Sequence, residues 1–277
     1  MIKPLFYLHI PKTAGSSMNR FLCDQFKDDE TALHIESTGI LDGENALEQT
    51  DQFKLLSGHI PLPRIIQKLD VLKTRQTIAT FRLPITHVIS HISWVRKLGD
   101  PSEHKRLKVH TASIQKITAK LLETDLSKPA EITELIRWLE ANKLFLFNNT
   151  QTQYLCGGAL GGFSPQLINQ ALQHLNQIDY VGTVERLNEF LLLLCYRLGF
   201  TQANESSPIK KNTNPETYGL DIKDESTRRA LQPLIGWDQI IYRHARERFI
   251  DDVHHFLAEL EKSKGPNYSS IKSRLIL

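Results

Sequence analysis

Short apolar runs alternate with amphipathic segments along this chain. Four of the runs predict buried strands, at Leu5–His9, Phe53–Ser57, Gln76–Phe81 and Ile178–Thr183. Apolar positions at helical spacing predict helices over Ser16–Phe26, through Ile65–Leu69, after Pro84, and over Pro165–Asn176, Leu187–Leu198 and Trp237–Leu260. Strands that alternate with helices favour an open sheet with parallel neighbours. The pattern therefore predicts an α/β fold, with a mostly parallel sheet and helices on both faces.

The middle of the chain has helical periodicity and no strand signal. Residues 103–147 place apolar side chains three and four positions apart, which predicts a helical insertion. The glycine-rich stretch 157–162 predicts a turn, and the polar stretch 201–215 predicts a loop. A length of 277 residues is compatible with one large domain. We therefore predict a single domain over residues 1–262 and a C-terminal tail over 263–277.

Composition narrows the class of protein. The formal net charge is only +3, which gives no nucleic-acid signature and predicts no nucleic-acid partner. Cys23, Cys156 and Cys195 are odd in number and widely spaced, which argues against a disulfide framework and fits a reducing compartment. The sequence has neither a signal-peptide pattern nor a run of about 20 apolar residues. The expected location is cytoplasmic, with no integral membrane segment.

The loop that follows the first predicted strand is a candidate anion site. It reads His9-Ile-Pro-Lys-Thr-Ala-Gly-Ser-Ser17, and Gly15 permits a tight turn just before a helix. A helix N-terminus offers free backbone N–H groups and a favourable dipole to an anion. The candidate donors are the Lys12 ammonium, the hydroxyls of Thr13, Ser16 and Ser17, and the backbone N–H groups of Ser16, Ser17 and Met18.

A second candidate anion site lies further along the chain. Arg82 follows the strand at Gln76–Phe81, and Ser90 lies two turns into the helix that begins near Pro84. A guanidinium and a hydroxyl in this arrangement can converge on one phosphate. The first loop lacks the G-x-x-x-x-G-K-[ST] spacing, since its glycine follows Lys12, and an ordinary ATPase or GTPase is therefore disfavoured.

These two features together carry a family resemblance. Ile10-Pro-Lys-Thr-Ala-Gly-Ser-Ser17, followed later by Arg82-x7-Ser90, resembles the two donor-binding motifs of sulfotransferases that use 3'-phosphoadenosine-5'-phosphosulfate (PAPS). The chain is most similar to the carbohydrate branch that includes heparan sulfate 2-O-sulfotransferases. Further segments resemble that branch in the same order, at Ser57–Pro61, Asn148–Gly157, Tyr180–Leu187 and Asp238–Tyr242.

The resemblance implies a P-loop-like sheet and a set of roles. PAPS would be the sulfuryl donor and would leave as 3',5'-adenosine bisphosphate, with no metal required. The acceptor would be a hydroxyl compound, a glycan or a glycolipid. The implied donor-binding residues are Lys12 at the 5'-phosphosulfate and the leaving oxygen, Thr13, Ala14 and Gly15 in the loop, Ser16 and Ser17 at the 5'-phosphate, Arg82 and Ser90 at the 3'-phosphate, and Arg186 on the 3'-phosphate side.

The chain departs from the family pattern at three places. Leu83 stands where relatives commonly have an aspartate, and His87 lies where a basic residue is usual. Gln153 replaces a frequent arginine, so one anion contact is expected to be weaker. These departures bear on acceptor choice and efficiency more than on the donor.

His59 is the candidate general base. It follows Gly58 at the carboxyl end of a predicted strand, where open α/β sheets collect their ligands, and imidazole titrates near working pH. The resembling branch also uses a histidine in a Gly-His segment. His9 is the alternative base, although packing beside the loop is the simpler role for it.

Other reactive residues are interpreted structurally. His87 and His91 have the i, i+4 spacing of a metal pair, but no third ligand accompanies them, and packing or surface roles are expected. Cys156 lacks an organised base, so it is not a candidate nucleophile. The basic stretches 104–108 and 210–211 could attract an anionic glycan, or simply form solvated faces.

Two other functions remain open at this stage. A kinase-like phosphotransferase could use Lys12 and the following helix for ATP, but it would need Mg²⁺ and an acidic residue at a strand end. No aspartate ends the strand before Arg82. A non-catalytic binding module could keep the loop and lack an acceptor site. The sequence sets neither the acceptor nor the oligomeric state.

Overall fold

Five parallel strands form one sheet in the computed structural model, which describes residues 3–42, 46–157, 162, 164–200, 216–263 and 275. The strands are β1 (Leu5–Leu8), β2 (Thr31–Leu33), β3 (Leu55–Gly58), β4 (Gln76–Phe81) and β5 (Tyr180–Thr183). Their order across the sheet is β2-β3-β1-β4-β5. In register, Leu5 of β1 lies opposite Leu55 of β3 and Gln76 of β4. The predicted α/β class with a parallel sheet is confirmed.

The sheet is buried on both faces, because alternate side chains of each strand enter different parts of the core. One core cluster contains the strand residues Phe6, Leu8, Leu56, Ala79, Phe81 and Val181. The other contains Leu5, Tyr7, Leu55 and Ile78. Each side chain named here is at most 1% exposed, so helices cover the sheet on both sides as predicted.

Thirteen α-helices lie within the described residues. They are α1 (Gly15–Cys23), α2 (Ala46–Asp51), α3 (Leu62–Leu69), α4 (Val71–Thr74), α5 (Pro84–Lys97), α6 (His104–Lys108), α7 (Ala112–Glu123), α8 (Pro129–Ala141), α9 (Thr150–Cys156), α10 (Pro165–Gln177), α11 (Leu187–Leu198), α12 (Glu225–Leu231) and α13 (Gly236–Ser263). Single 3-10 turns occupy Asp28–Glu30, Pro101–Glu103, Val184–Arg186 and Gln232–Leu234. Within the described part of the chain, no helix combines the length and apolarity needed to cross a membrane.

The helical insertion predicted at 103–147 corresponds to α6, α7 and α8. The apolar faces of α7 and α8 pack with α5 and α12 in a third core cluster that includes Ile92, Ile117 and Leu135. The predicted loop at 201–215 lies outside the described residues, as do positions 158–161 of the predicted glycine turn and most of the predicted tail. Leu275 is described and is buried in the cluster on the α1 side of the sheet.

Strand β2 is the element of the sheet that the hydrophobic pattern does not predict. Its three residues, Thr31-Ala-Leu33, are all half-buried, because the strand lies at the edge of the sheet and pairs with β3 alone. A short edge strand carries too few apolar positions to show periodicity. This strand matters for the site, since His34 follows it directly.

The strand order places a crevice at the ends of β1 and β4. The connection after β1 leads to β2 on one side of the sheet, whereas the connection after β4 leads to β5 on the other. Ligands of open parallel sheets bind at such a switch point, outside the carboxyl ends of the strands. The loop 9–17 follows β1 and Arg82 follows β4, so both predicted anion sites flank this crevice.

A buried carboxylate joins the long helix α13 to α9. Asp238 is 1% exposed and accepts hydrogen bonds from the backbone N–H groups of Gln151, at 3.2 Å, and Thr152, at 2.7 Å. It also accepts the Thr152 hydroxyl at 2.7 Å. These bonds fix the start of α9, from which Gln151 reaches the backbone of Arg82.

Replacement of Asp238 tests this junction. In Asp238→Ala three buried donors lose their acceptor, and we expect the free energy of unfolding to fall by about 3 kcal/mol. Urea unfolding followed by circular dichroism measures it. Asp251→Ala, at an exposed position of the same helix, is the matched control and should change stability by less than about 0.5 kcal/mol. Equal stability of the two variants would contradict a structural role for Asp238.

Candidate active site

The loop after β1 has an unusual backbone. Lys12 and Ala14 both have positive φ, at 65° and 66°, which is rare for residues with a side chain. Such strain persists only where the surroundings impose it, and it concentrates at binding sites. Thr13 between them is fully buried and donates its hydroxyl to the carbonyl of Ile10 at 2.8 Å. The loop is therefore held in one conformation by its own buried threonine.

Gly15 is required where α1 begins. A Cβ atom at this position would lie 1.6 Å from Nε2 of His9, well inside the contact distance of any two atoms. The ring of His9 therefore packs directly against the first turn of α1. The glycine allows the close approach, which is a second reason for it besides the tight turn predicted from the sequence.

The N-terminus of α1 offers fewer free donors than the sequence suggests. The N–H groups of Ser17 and Met18 both donate to the carbonyl of Ala14 at 3.0 Å, so the prediction that these two groups are free is wrong. The N–H groups of Gly15 and Ser16 have no acceptor among the described residues. The hydroxyls of Ser16, which is exposed, and Ser17, which is half-buried, likewise bond no described residue. Two amides and two hydroxyls thus remain for an anion.

Arg82 lies beside this loop. Its Nη1 donates to the carbonyl of Lys12 at 3.2 Å, and its Nε donates to the Thr86 hydroxyl at 3.2 Å. The buried side chain of Gln151 fixes the Arg82 backbone, accepting its N–H at 2.8 Å and donating to its carbonyl at 2.9 Å. The guanidinium is therefore positioned by the loop after β1 and by α5, and its backbone is held by α9.

One face of α5 lines the same crevice. Thr86, Ser90 and Trp94 are four residues apart and share this face, so Ser90 lies one turn beyond the contact of Arg82 with Thr86. His87 donates through Nε2 to the carbonyl of Pro11 at 2.8 Å, and the Lys12 ammonium lies 5.7 Å from the centre of the Trp94 ring. The hydroxyl of Ser90 bonds no other described residue. The structure thus brings Lys12, Arg82 and Ser90 around one crevice.

The charge of the crevice is unbalanced. No described carboxylate lies within 4.0 Å of the Lys12 or Arg82 side-chain nitrogens. Arg106 of α6 lies 5.9 Å from the centre of the Trp94 ring that Lys12 also approaches. Burial, and then the charges of Arg82 and Arg106, lower the pKa of Lys12 to about 8. An anion between these cations would relieve the repulsion. The position of Arg106 beside Lys12 was not predicted from the sequence.

Arg186 is oriented by neighbours of its own. Its Nε lies 3.4 Å from a carboxylate oxygen of Glu189, and its guanidinium lies 5.9 Å from the centre of the Phe249 ring. The adjacent Glu185 accepts the N–H of Leu83 and the hydroxyl of Tyr242, both at 2.9 Å. Glu185 thus joins the end of β5 to the backbone after β4.

His59 is held with one ring nitrogen available. Its Nδ1 lies 2.7 Å from the carbonyl oxygen of His9, which can only accept, so Nδ1 carries the hydrogen and Nε2 keeps its lone pair. Its backbone N–H donates to Glu36 at 3.0 Å. Burial lowers the pKa of His59 below the ordinary imidazole value, which favours the neutral ring.

His9 has a different environment. It is 7% exposed, stacks on Tyr7 with 5.5 Å between ring centres and lies 3.9 Å from the His59 ring. Burial and the neighbouring histidines lower its pKa to about 3. This packing favours His59 over His9 as the base, and it leaves Nδ1 of His9 buried without a hydrogen-bond partner among the described residues.

A third histidine joins this pair, and sequence analysis missed it. His34 follows the unpredicted edge strand β2, and one ring nitrogen of each of His9, His34 and His59 lies within 4.8 Å of the others. The three residues are widely separated in sequence. The order β2-β3-β1 brings the three strand ends together. The cluster could not be predicted because the sequence pattern did not predict the edge strand β2.

The departures from the family pattern have structural explanations. Leu83 is 38% exposed and contributes its backbone N–H to Glu185. Gln153 donates its side-chain amide to the carbonyls of Phe145 and Asn148, so it braces a turn. His87 and His91 are each 2% exposed on α5, so they lie in the packed interior and not at the surface. Cys156 is buried in the core at the end of α9.

Comparison with known proteins gives no family assignment. No protein-family model matches the chain, and no curated protein matches it significantly. The resemblance to PAPS-dependent sulfotransferases therefore depends on the quoted motifs and on the geometry of the crevice.

The titration of Lys12 tests the electrostatics of the crevice. The groups that face it are Arg82, Arg106 of α6, and His87 and His91 of α5. We expect its ammonium to lose its proton near pH 8, so that anion binding at the loop weakens as the pH rises through this value. Side-chain lysine NMR measures the titration, and the resonance is assigned by its loss in Lys12→Arg.

Arg106→Ala is the companion variant for this titration. It removes a like charge and should raise the pKa of Lys12, since the remaining cations repel the ammonium less. A Lys12 resonance that titrates at the ordinary lysine value in the parent protein would contradict the arrangement.

Proposed function

We propose that this chain is a sulfotransferase that moves a sulfuryl group from PAPS to an acceptor hydroxyl. The observation that carries the proposal is the pair of cations, Lys12 and Arg82, at the switch point of the sheet, where no described carboxylate forms an ion pair with either of them. Two helices, α1 and α5, contribute unbonded donors to the same crevice. A ligand with anionic groups at two points fits this arrangement, and PAPS is such a ligand.

The donor fits the free groups as follows. The 5'-phosphosulfate would accept from the N–H groups of Gly15 and Ser16 and from the hydroxyls of Ser16 and Ser17. The 3'-phosphate would take the remaining N–H donors of Arg82 and the Ser90 hydroxyl. Lys12 would reach the oxygen that bridges phosphorus and sulfur.

The other implied donor residues act less directly. Thr13 uses its hydroxyl inside the loop, and Ala14 supplies a strained backbone, so both would shape the donor site without a side-chain contact. Arg186 would contribute positive potential from the end of β5, where its guanidinium is already paired with Glu189.

The reaction is an in-line transfer. The acceptor oxygen forms a bond to sulfur while the bond from sulfur to the bridging oxygen breaks, and the electron pair of that bond stays on the leaving phosphate. The acceptor proton passes to Nε2 of His59, the nitrogen that the bond from Nδ1 to His9 leaves available. The Lys12 ammonium stabilises the charge on the leaving 3',5'-adenosine bisphosphate.

The acceptor is proposed to be a carbohydrate or glycoconjugate hydroxyl. Helix α6 carries the cations Lys105, Arg106 and Lys108, and Arg106 lies 5.9 Å from the centre of the Trp94 ring that Lys12 also approaches. Exposed cations next to an aromatic ring suit a sugar that carries negative charge. This acceptor class rests on the motif resemblance and on the position of α6.

Incubation of the protein with ³⁵S-labelled PAPS, and with either a cell extract of the source organism or a panel of hydroxyl acceptors, tests the proposal. The parent protein should label an acceptor, and His59→Ala should lower turnover by about 10²- to 10⁴-fold because the base is gone. The variant should still bind 3',5'-adenosine bisphosphate. His254→Ala, an exposed histidine of α13, is the control and should retain full activity.

Three outcomes decide against the proposal or a part of it. Full activity of His59→Ala would remove His59 from the mechanism. Transfer of label from γ-³²P-ATP with Mg²⁺, without any transfer from PAPS, would replace the sulfotransferase by a kinase-like enzyme. Binding of the adenosine bisphosphate without transfer to any acceptor would support a non-catalytic module.

A further inference from the structure

Three imidazoles meet at the carboxyl ends of three neighbouring strands, and the proposed reaction uses only one of them. His9, His34 and His59 follow β1, β2 and β3, which lie side by side in the order β2-β3-β1. One ring nitrogen from each lies within 4.8 Å of the other two. Nitrogens bound to one zinc ion at about 2.0–2.1 Å are separated by a little over 3 Å, so small side-chain rotations bring them into range.

The environment of each ring favours a metal ligand. Histidines that bind metals usually give their second nitrogen to a carbonyl or a carboxylate, which fixes the lone pair of the first. His59 donates Nδ1–H to the carbonyl of His9 at 2.7 Å. Nδ1 of His34 lies 3.5 Å from a carboxylate oxygen of Glu36, whose other oxygen accepts the backbone N–H of His59.

Two further observations point to a ligand at this cluster. Nδ1 of His9 is buried and bonds no other described residue, although a buried ring nitrogen normally has a partner. His34 has a φ of 53°, a strained conformation for a residue with a side chain. The side chain of His34 is 54% exposed, so the cluster is open to solvent on one side and has a path for an ion and a place for water as a fourth ligand.

We propose that His9, His34 and His59 bind one transition-metal ion of the zinc class, and that the bound ion inhibits the proposed sulfuryl transfer. Three imidazole ligands suit Zn²⁺, Co²⁺, Ni²⁺ or Cu²⁺ and not Mg²⁺ or Ca²⁺. The inhibition rests on the proposed function, because the ion takes the same lone pair of His59 that would accept the acceptor proton. Glu36 acts as a positioning residue that orients His34.

Cobalt binding tests the site independently of any activity. Titration of the full chain with Co²⁺ should give the visible absorption of a tetrahedral ion at one equivalent, and Zn²⁺ should displace it. In His34→Asn the absorption should be lost, since asparagine accepts the left-handed backbone but does not replace imidazole as a ligand. Glu36→Gln should keep the absorption and weaken binding by about 10-fold or more.

The control variant is His254→Ala, which removes an exposed histidine on α13 and should bind Co²⁺ as the parent does. Absence of cobalt absorption in the parent protein, or unchanged absorption in His34→Asn, would overturn the site. Equal circular dichroism spectra of the parent and His34→Asn establish that a loss of binding is not a loss of fold.

A separate measurement tests whether the bound ion inhibits sulfuryl transfer. Zn²⁺ at one equivalent should suppress transfer from PAPS by the parent and leave His34→Asn active, because that variant keeps His59 and loses the ion. Metal binding without inhibition would overturn the inhibitory part and support the site alone. A chain that binds Co²⁺ but transfers no sulfuryl group under any condition would count against the proposed function, and the metal site would stand.

Discussion

Thr80 donates its hydroxyl hydrogen to the carbonyl of Thr13 at 2.7 Å, across the space between β4 and the loop after β1. Tyr7 completes the contact with a 2.8 Å hydrogen bond to the Thr80 hydroxyl. All three side chains are buried, so each bond is hard to replace by water. Burial raises the pKa of Tyr7, which keeps its hydroxyl a donor at all working pH values. The strained loop conformation, and with it the direction of Lys12, depends on this network.

The same network explains how cations can gather in the crevice although no described carboxylate forms an ion pair with Lys12 or Arg82. Glu185 acts on Arg82 only at longer range. Folding brings Lys12 and Arg82 together because hydrogen bonds to the loop and to Gln151 fix the backbone on either side of them. Burial first, and then the charges of Arg82 and Arg106, lower the pKa of Lys12. A site that stores unfavourable charge is poised to bind an anion, since binding releases the repulsion.

Local patterns predicted much of this structure. The strand, loop and helix at the N-terminus, the strand before Arg82 and the Pro84-led helix follow from apolar periodicity, since their signals lie within a few residues. The contacts that orient the site do not follow from apolar periodicity. Gln151 reaches Arg82 across 69 residues, and Asp238 reaches Gln151 across 87. Such partners depend on tertiary packing, which a single sequence does not display.

The histidine cluster also could be predicted only in part from local sequence patterns. His9 and His59 were visible as strand-end residues, whereas His34 required the edge strand β2, whose half-buried residues carry no period. The free donors of α1 were overestimated for a related reason, because the helix begins at Gly15, one residue before the predicted start, so the Ala14 carbonyl already accepts the N–H groups of Ser17 and Met18. Function at this edge of the sheet therefore depends on details of backbone geometry.

The most direct test of the central claim is a calorimetric comparison of two nucleotides. The account holds that Arg82 binds the 3'-phosphate of the donor, so the parent protein should bind 3',5'-adenosine bisphosphate about tenfold or more tightly than 5'-AMP. Arg82→Met, which keeps the apolar stem, should bind the two nucleotides with nearly equal affinity. A preference for the bisphosphate that survives unchanged in Arg82→Met would contradict the account.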